Sequence, residues 1–224
     1  AVACACGLGG ILAFIDSCRD FPVRSFFLAP PLTPPFPLME SSSGLTLKEF
    51  TDLVKRDDFV GIGEAYWTRI VDGDERVLKQ ARAAMALGKA LDGHAAGARG
   101  SRLVEYVLTG ITSCHESTTV EEVLEKLRLG LTVMIREGWV RRELDELYRI
   151  KDLNIDYRRI LLVSDVFDPV MLFNEGYLDS IVRKAIGLGI PAGEAIKMAT
   201  INPADYYGLR HLGACRAGHA RHPD

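Results

Sequence analysis

Six short apolar runs punctuate the chain, each continuous rather than alternating: SFFLAP (25–30), FVGIG (59–63), KALDG (89–93), GITSC (110–114), LTVMI (131–135) and RILLVS (159–164). A strand with one wet face alternates apolar and polar residues, so unbroken runs belong to strands covered on both faces, as in parallel sheets wrapped by helices. The stretches between them carry the 3.6-residue period of such helices. Val120, Val123, Leu124 and Leu127 follow a Thr118-x-x-Glu121 pattern that reads as a capping box. Leu178, Ile181, Val182, Ala185 and Ile186 mark another helix, closed by Gly189 and Pro191. The expectation is an α/β fold with six strands.

Four runs end on a residue that can bind a metal ion: FVGIGE on Glu64, ALDGH on His94, ITSCH on His115 and ILLVSD on Asp165. Carboxylates and imidazoles from the ends of separate strands are the donors of a hydrolytic metal site, and a (β/α)8 barrel assembles its sites from several strand ends. A doubly wound sheet fits the alternation as well, but its Gly-rich phosphate loop has only GLGG (7–10) as a candidate, with no strand before it. A full barrel takes about 250 residues, and six strands in 224 residues leave it short by about two. Other readings stand beside the metal one. Glu64 and Asp165 could cap following helices, and a histidine after glycine could mark a turn; Cys114, beside His115, invites a nucleophile reading but reads rather as a small apolar filler.

Composition narrows the partners. A net charge of -3 leaves no basic footprint for nucleic acid. Five irregularly spaced cysteines, at 4, 6, 18, 114 and 215, argue against a disulfide framework and for a reducing, cytoplasmic setting. No apolar run approaches the roughly 20 residues of a membrane span. The opening AVACACGLGGILAF lacks the basic flank of a signal peptide and reads as a buried helix, with Cys4 and Cys6 as packing residues. APPLTPPFPLME (29–40) reads as a loop at the barrel mouth, and His211, His219 and His222 with Arg216 and Arg221 as a tail.

GIGEAYW, LDGHAAG, GITSCHESTTVEEVLEKLRLGLTVMIREG, LLVSD and AIKMATINPADYYGL together resemble the adenine deaminases of the amidohydrolase superfamily, from about Cys18 to Leu212. The resemblance implies a metal-dependent TIM-type barrel that hydrolyses adenine to hypoxanthine and ammonia in purine salvage, using one or two divalent ions (Mn, Fe or Zn). It implies a purine-like small-molecule substrate, no nucleic-acid or membrane partner, and a homo-oligomer in the full-length parent. Glu64 matches the metal-bridging carboxylate, and His94 and His115 match ligand histidines of the next two strands. Asp165 matches the last-strand aspartate that holds metal and takes the proton of the attacking water, and Glu116 matches a catalytic position near the substrate. In such a site the ion lowers the pKa of its water toward 7, and carbon 6 of the purine is attacked while a carboxylate moves the proton.

The departures from the family shape the expectation further. The family's first strand ends in a His-x-His pair, and none of the five histidines here forms one. Ala65, Tyr66 and Trp67 stand where Met and Asn commonly follow the glutamate, and Val166, Phe167, Asp168 and Pro169 replace the acidic, His and Pro residues after the last-strand aspartate. The expectation is therefore an internal fragment: a partial amidohydrolase barrel over 1–212, its first strands and flanking β-domain missing, and an atypical, disordered tail over 213–224. Such a chain is expected to be inactive alone. The alternatives are another cyclic amidohydrolase, or a truncated remnant with no catalysis.

Overall fold

The computed structural model describes residues 2–31, 37–39 and 44–215, so half of the Pro-rich segment at 29–40, and the tail from 216 with His219 and His222, lie outside the described residues. All six apolar runs contain strands: β1 (Phe27–Ala29), β2 (Phe59–Tyr66), β3 (Ala90–His94), β4 (Ser113–Cys114), β5 (Thr132–Arg136) and β6 (Ile160–Val163). They form two three-stranded sheets, β1-β2-β3 and β4-β5-β6, in which every pairing is parallel. The α/β expectation is met. The chain divides into two compact units, Ala1–His94 with Gly100–Thr112, and Ala95–Arg99 with Ser113–Asp224.

In the first unit, the helix Leu47–Val54 starts at a complete capping box between Thr46 and Glu49 and buries Phe50, Leu53 and Val54. The helix Glu75–Ala86 starts at Asp74, whose carboxylate accepts from the amides of Arg76 and Val77, and it turns Val77, Ala81 and Ala84 inward. The first helix, Val2–Ser17, corrects the expectation of a buried one. It is broken at Gly7, where φ is 57, and only Ala3, Gly7, Ile11 and Ile15 are buried, while Leu12 and Phe14 are exposed. Its uniformly apolar sequence concealed which face packs.

The second unit is organised around one apolar cluster, in which Val133 and Ile135 of β5 and Ile160 and Leu162 of β6 meet Ile181, Ala185, Ala195 and Met198. The last four come from the helices Leu178–Gly187 and Ala192–Ala199. The helix Val120–Arg128 begins one residue later than its sequence pattern implied. Thr119 is the cap, accepting from the Glu122 amide at 3.3 Å, while the Glu122 carboxylate takes the Thr118 amide at 2.8 Å. Paired threonines followed by paired glutamates offer two registers, and the one that buries Val123 is adopted. No helix among the described residues is long and apolar enough to cross a membrane.

Candidate metal centre

In the first unit, Glu64 and His94 lie at the carboxyl ends of neighbouring parallel strands. The register of β2 against β3 steps from Ile62↔Leu91 to Ala65↔Gly93, so β2 carries one extra residue at Gly63-Glu64. That bulge puts Glu64 at φ 48, a left-handed conformation, and exposes its side chain within a strand that is buried up to Ile62. A carboxylate oxygen of Glu64 comes within 4.8 Å of an imidazole nitrogen of His94. The Tyr66 ring packs against the imidazole, centroids 4.3 Å apart, and its hydroxyl lies 3.4 Å from Glu64 Oε2. Beneath them the fully buried Tyr106 ties the two strand ends by their backbones. Its hydroxyl accepts from the His94 amide at 2.9 Å and donates to the Ala65 carbonyl. Glu64 and Tyr66 also line an otherwise apolar cavity of about 390 Å³ with Ile11, Phe14, Phe27 and Leu28.

In the second unit, the loop after β4 carries His115 and Glu116. Buried Lys126 pins that loop, donating to the Glu116 carbonyl and, at 2.9 Å, to Ser117 Oγ. His115 Nε2 is 3.5 Å from Glu116 Oε1. Arg136, the last residue of β5, is buried and grips three carboxylates. Its terminal nitrogens donate to both oxygens of Glu116, one of them also reaches Asp165 Oδ2 at 3.2 Å, and its Nε donates to Glu143 Oε2 at 3.0 Å. Burial opposes the guanidinium charge, but the bonds and charges of Glu143 and Glu116 outweigh it and hold the arginine pKa above its ordinary value.

Asp165 follows β6 at φ 58, and it and Glu64 are the two non-glycine residues with positive φ among the described residues. The segment after β5 holds this turn on both sides: the Glu137 amide donates to the Val163 carbonyl at 2.8 Å and the Trp139 amide to the Val166 carbonyl at 3.0 Å. Gly138 between them has no room for a side chain, since a Cβ there would stand 2.1 Å from the Ser164 carbonyl oxygen. Neither carboxylate caps a helix. Tyr66 precedes the helix Trp67–Val71, and the helix Pro169–Glu175 is capped by Asp168, which accepts from the amides of Val170 and Met171 ahead of the Pro169 start. Cys114, fully buried on β4, is the packing residue its sequence suggested.

Each unit therefore gathers part of the expected set: Glu64 with His94 in the first, and His115, Glu116 and Asp165 around Arg136 in the second. Carboxylate oxygen and neutral imidazole nitrogen are donors that suit a divalent ion. Arg136, Glu143 and Tyr106 escaped the sequence reading. Arg136 also closes an apolar run, LTVMI, but a guanidinium is no metal ligand, so the pattern of ligand-ended runs passes over it.

Carboxylates and imidazoles of a kind that could hold a metal thus stand at the ends of parallel strands in an α/β protein. The chain belongs to the amidohydrolase family, which it matches over residues 3–220. It is similar to the adenine deaminase of Archaeoglobus fulgidus, with 36% identity over 93% of this chain and 36% of that protein. The adenine deaminase of Methanothermobacter thermautotrophicus is also 36% identical, over 93% of this chain and 37% of its own length. That of Clostridium acetobutylicum is 34% identical over 95% and 37%. The chain thus spans little more than a third of the length of these curated relatives.

Proposed function

We propose that these 224 residues are part of a metal-dependent amidohydrolase that deaminates adenine to hypoxanthine and ammonia, and that they form part of a (β/α)8 barrel. The observation that carries the reading is the left-handed backbone at Glu64 and Asp165, each at the end of a buried parallel strand. Strained positions of this kind cost of order 1–3 kcal/mol and cluster where function needs a side chain aimed off the regular path. Membership of the amidohydrolase family and similarity to three adenine deaminases support the reaction class. The cavity beside Glu64, about 390 Å³, lies in the range of small-molecule sites.

In this reading Glu64, His94, His115 and Asp165 are the metal ligands. A Mn, Fe or Zn ion held there would supply a water acidified to near neutrality. Asp165, a solvent-reaching carboxylate, would be the group placed to hold a proton and pass it to the departing ammonia. Glu116, its charge balanced by Arg136, keeps a fixed acceptor beside His115.

A second reading, another cyclic amidohydrolase, is favoured by Tyr66 against His94 and by the helix cap at Asp168, which alter two stretches beside the ligands. Ammonia release tests both, from adenine and from a panel of cyclic amidines and amides. The 224 residues alone, even with added Mn or Zn, are expected to release none. A protein extended to the length of the relatives is expected to be active, and to lose activity on His115→Ala or Asp165→Asn. Activity that survives both substitutions sinks the site assignment, and turnover by the short chain sinks its inactivity.

A further inference from the structure

We infer that Arg136 is a positioning residue: from the end of β5 it fixes the carboxylates of Glu116 and Asp165, so that each is presented in one orientation, and Glu143 anchors it from behind. The inference rests on the reading of Asp165 as a metal ligand. Three observations carry it. Arg136 is buried, and its planar fork bonds both oxygens of Glu116 while leaving only one contact to Asp165, at Oδ2. The opposite edge of the fork is taken by Glu143, a residue outside the ligand set, through Nε at 3.0 Å and a terminal nitrogen. The three partners come from three places along the chain: Glu116 from the loop after β4, Asp165 from the turn after β6, and Glu143 just ahead of the helix Leu144–Leu147. A lysine could neutralise one of these carboxylates but has no fixed fork with which to orient all three.

The fork constrains geometry as well as charge. With Oδ2 engaged from the side of β5, rotation of the Asp165 carboxyl about its own bond breaks the contact, so the second oxygen keeps one direction. Glu116 is held more tightly, by two parallel bonds, and so orients rather than roams. A partner that orients a metal ligand typically changes metal affinity by about 10–100-fold when it is removed.

The test is Mn(II) affinity by calorimetry and the visible spectrum of Co(II), measured on the wild-type protein extended to the length of the relatives and on its Arg136→Lys, Glu143→Gln and Asp165→Asn variants, with urea unfolding of each. Arg136→Lys is expected to weaken Mn(II) binding about tenfold and to change the Co(II) spectrum while the unfolding midpoint shows a folded protein. Glu143→Gln, which keeps the arginine and loosens its anchor, should shift affinity the same way by less. If Arg136→Lys folds and binds Mn(II) with wild-type affinity and spectrum, the positioning role is overturned. Should Arg136→Lys fail to fold, Glu143→Gln decides on the same readouts. If Asp165→Asn binds as the wild type does, or the wild type binds no Mn(II) at millimolar concentration, the site reading itself fails, a result distinct from the first.

Discussion

The two units solve one problem by different means. Both must hold the ends of parallel strands where polar residues leave the sheet. In the first, a neutral phenol, Tyr106, clasps the backbone of β2 and β3, and the side chains of Glu64 and His94 meet Tyr66 above it. In the second, a guanidinium clasps the side chains themselves, Glu116, Asp165 and Glu143. A backbone clasp fixes where the strands end and leaves the donors to answer to whatever approaches them. A side-chain clasp settles charge and direction in advance, at the cost of burying ions that depend on one another.

The sharpest way to break this contrast is to remove each clasp. Arg136→Met leaves Glu143 and Glu116 as under-compensated carboxylates and is expected to cost about 3–5 kcal/mol by urea denaturation. Tyr106→Phe removes one hydroxyl between two backbone groups and is expected to cost about 1–3 kcal/mol. Equal losses would mean that the charged clasp carries no special burden.

A control in the cores comes next. Ile62 in β2 and Ile135 in β5 are both fully buried, so alanine at either is expected to cost about 2–4 kcal/mol, with no systematic difference between the units. A large difference there would place the contrast in packing rather than in the clasps.

The smallest effect is a pH slope from another ionic group of the second unit, around the buried Glu137. Burial raises the Glu137 carboxyl above the ordinary range, against Lys184 at 2.8 Å and the Leu144 amide, while Asp145, which shares Lys184, adds to the rise. The native state therefore holds this proton more tightly than the unfolded chain. Its contribution is greatest below the ordinary carboxylate range and is lost as pH rises through the raised value. Glu137→Gln should flatten stability against pH over that window. An unchanged slope would show that Lys184 fully compensates the buried charge.

Much of this was legible in the chain. Every strand was, because a strand buried on both faces needs an unbroken apolar run, and so were the strand-end positions of Glu64, His94, His115 and Asp165, because each closes such a run. Arg136 was not recognised, since its meaning lies in partners 20 and 29 residues away. Tyr106 reads in sequence as one more apolar helix position, and nothing local announces that its hydroxyl joins two strand ends. The helix start at Thr119 was missed by one residue because TTVEE is degenerate. Asp168 stood out in sequence only as a departure from the family, and the structure gives it a local duty as a helix cap.

The left-handed backbone at Glu64 and Asp165 has an evolutionary consequence. An L-residue pays roughly 1–2 kcal/mol to stay there, glycine pays almost nothing, and asparagine or aspartate pays less than glutamate. A library of this gene selected only for folded, protease-resistant protein should therefore drift toward glycine or asparagine at 64, and more slowly at 165. Selection that also required the proposed metal chemistry would hold glutamate and aspartate in place, so the residue frequencies at these two codons would record whether chemistry or stability had been the filter.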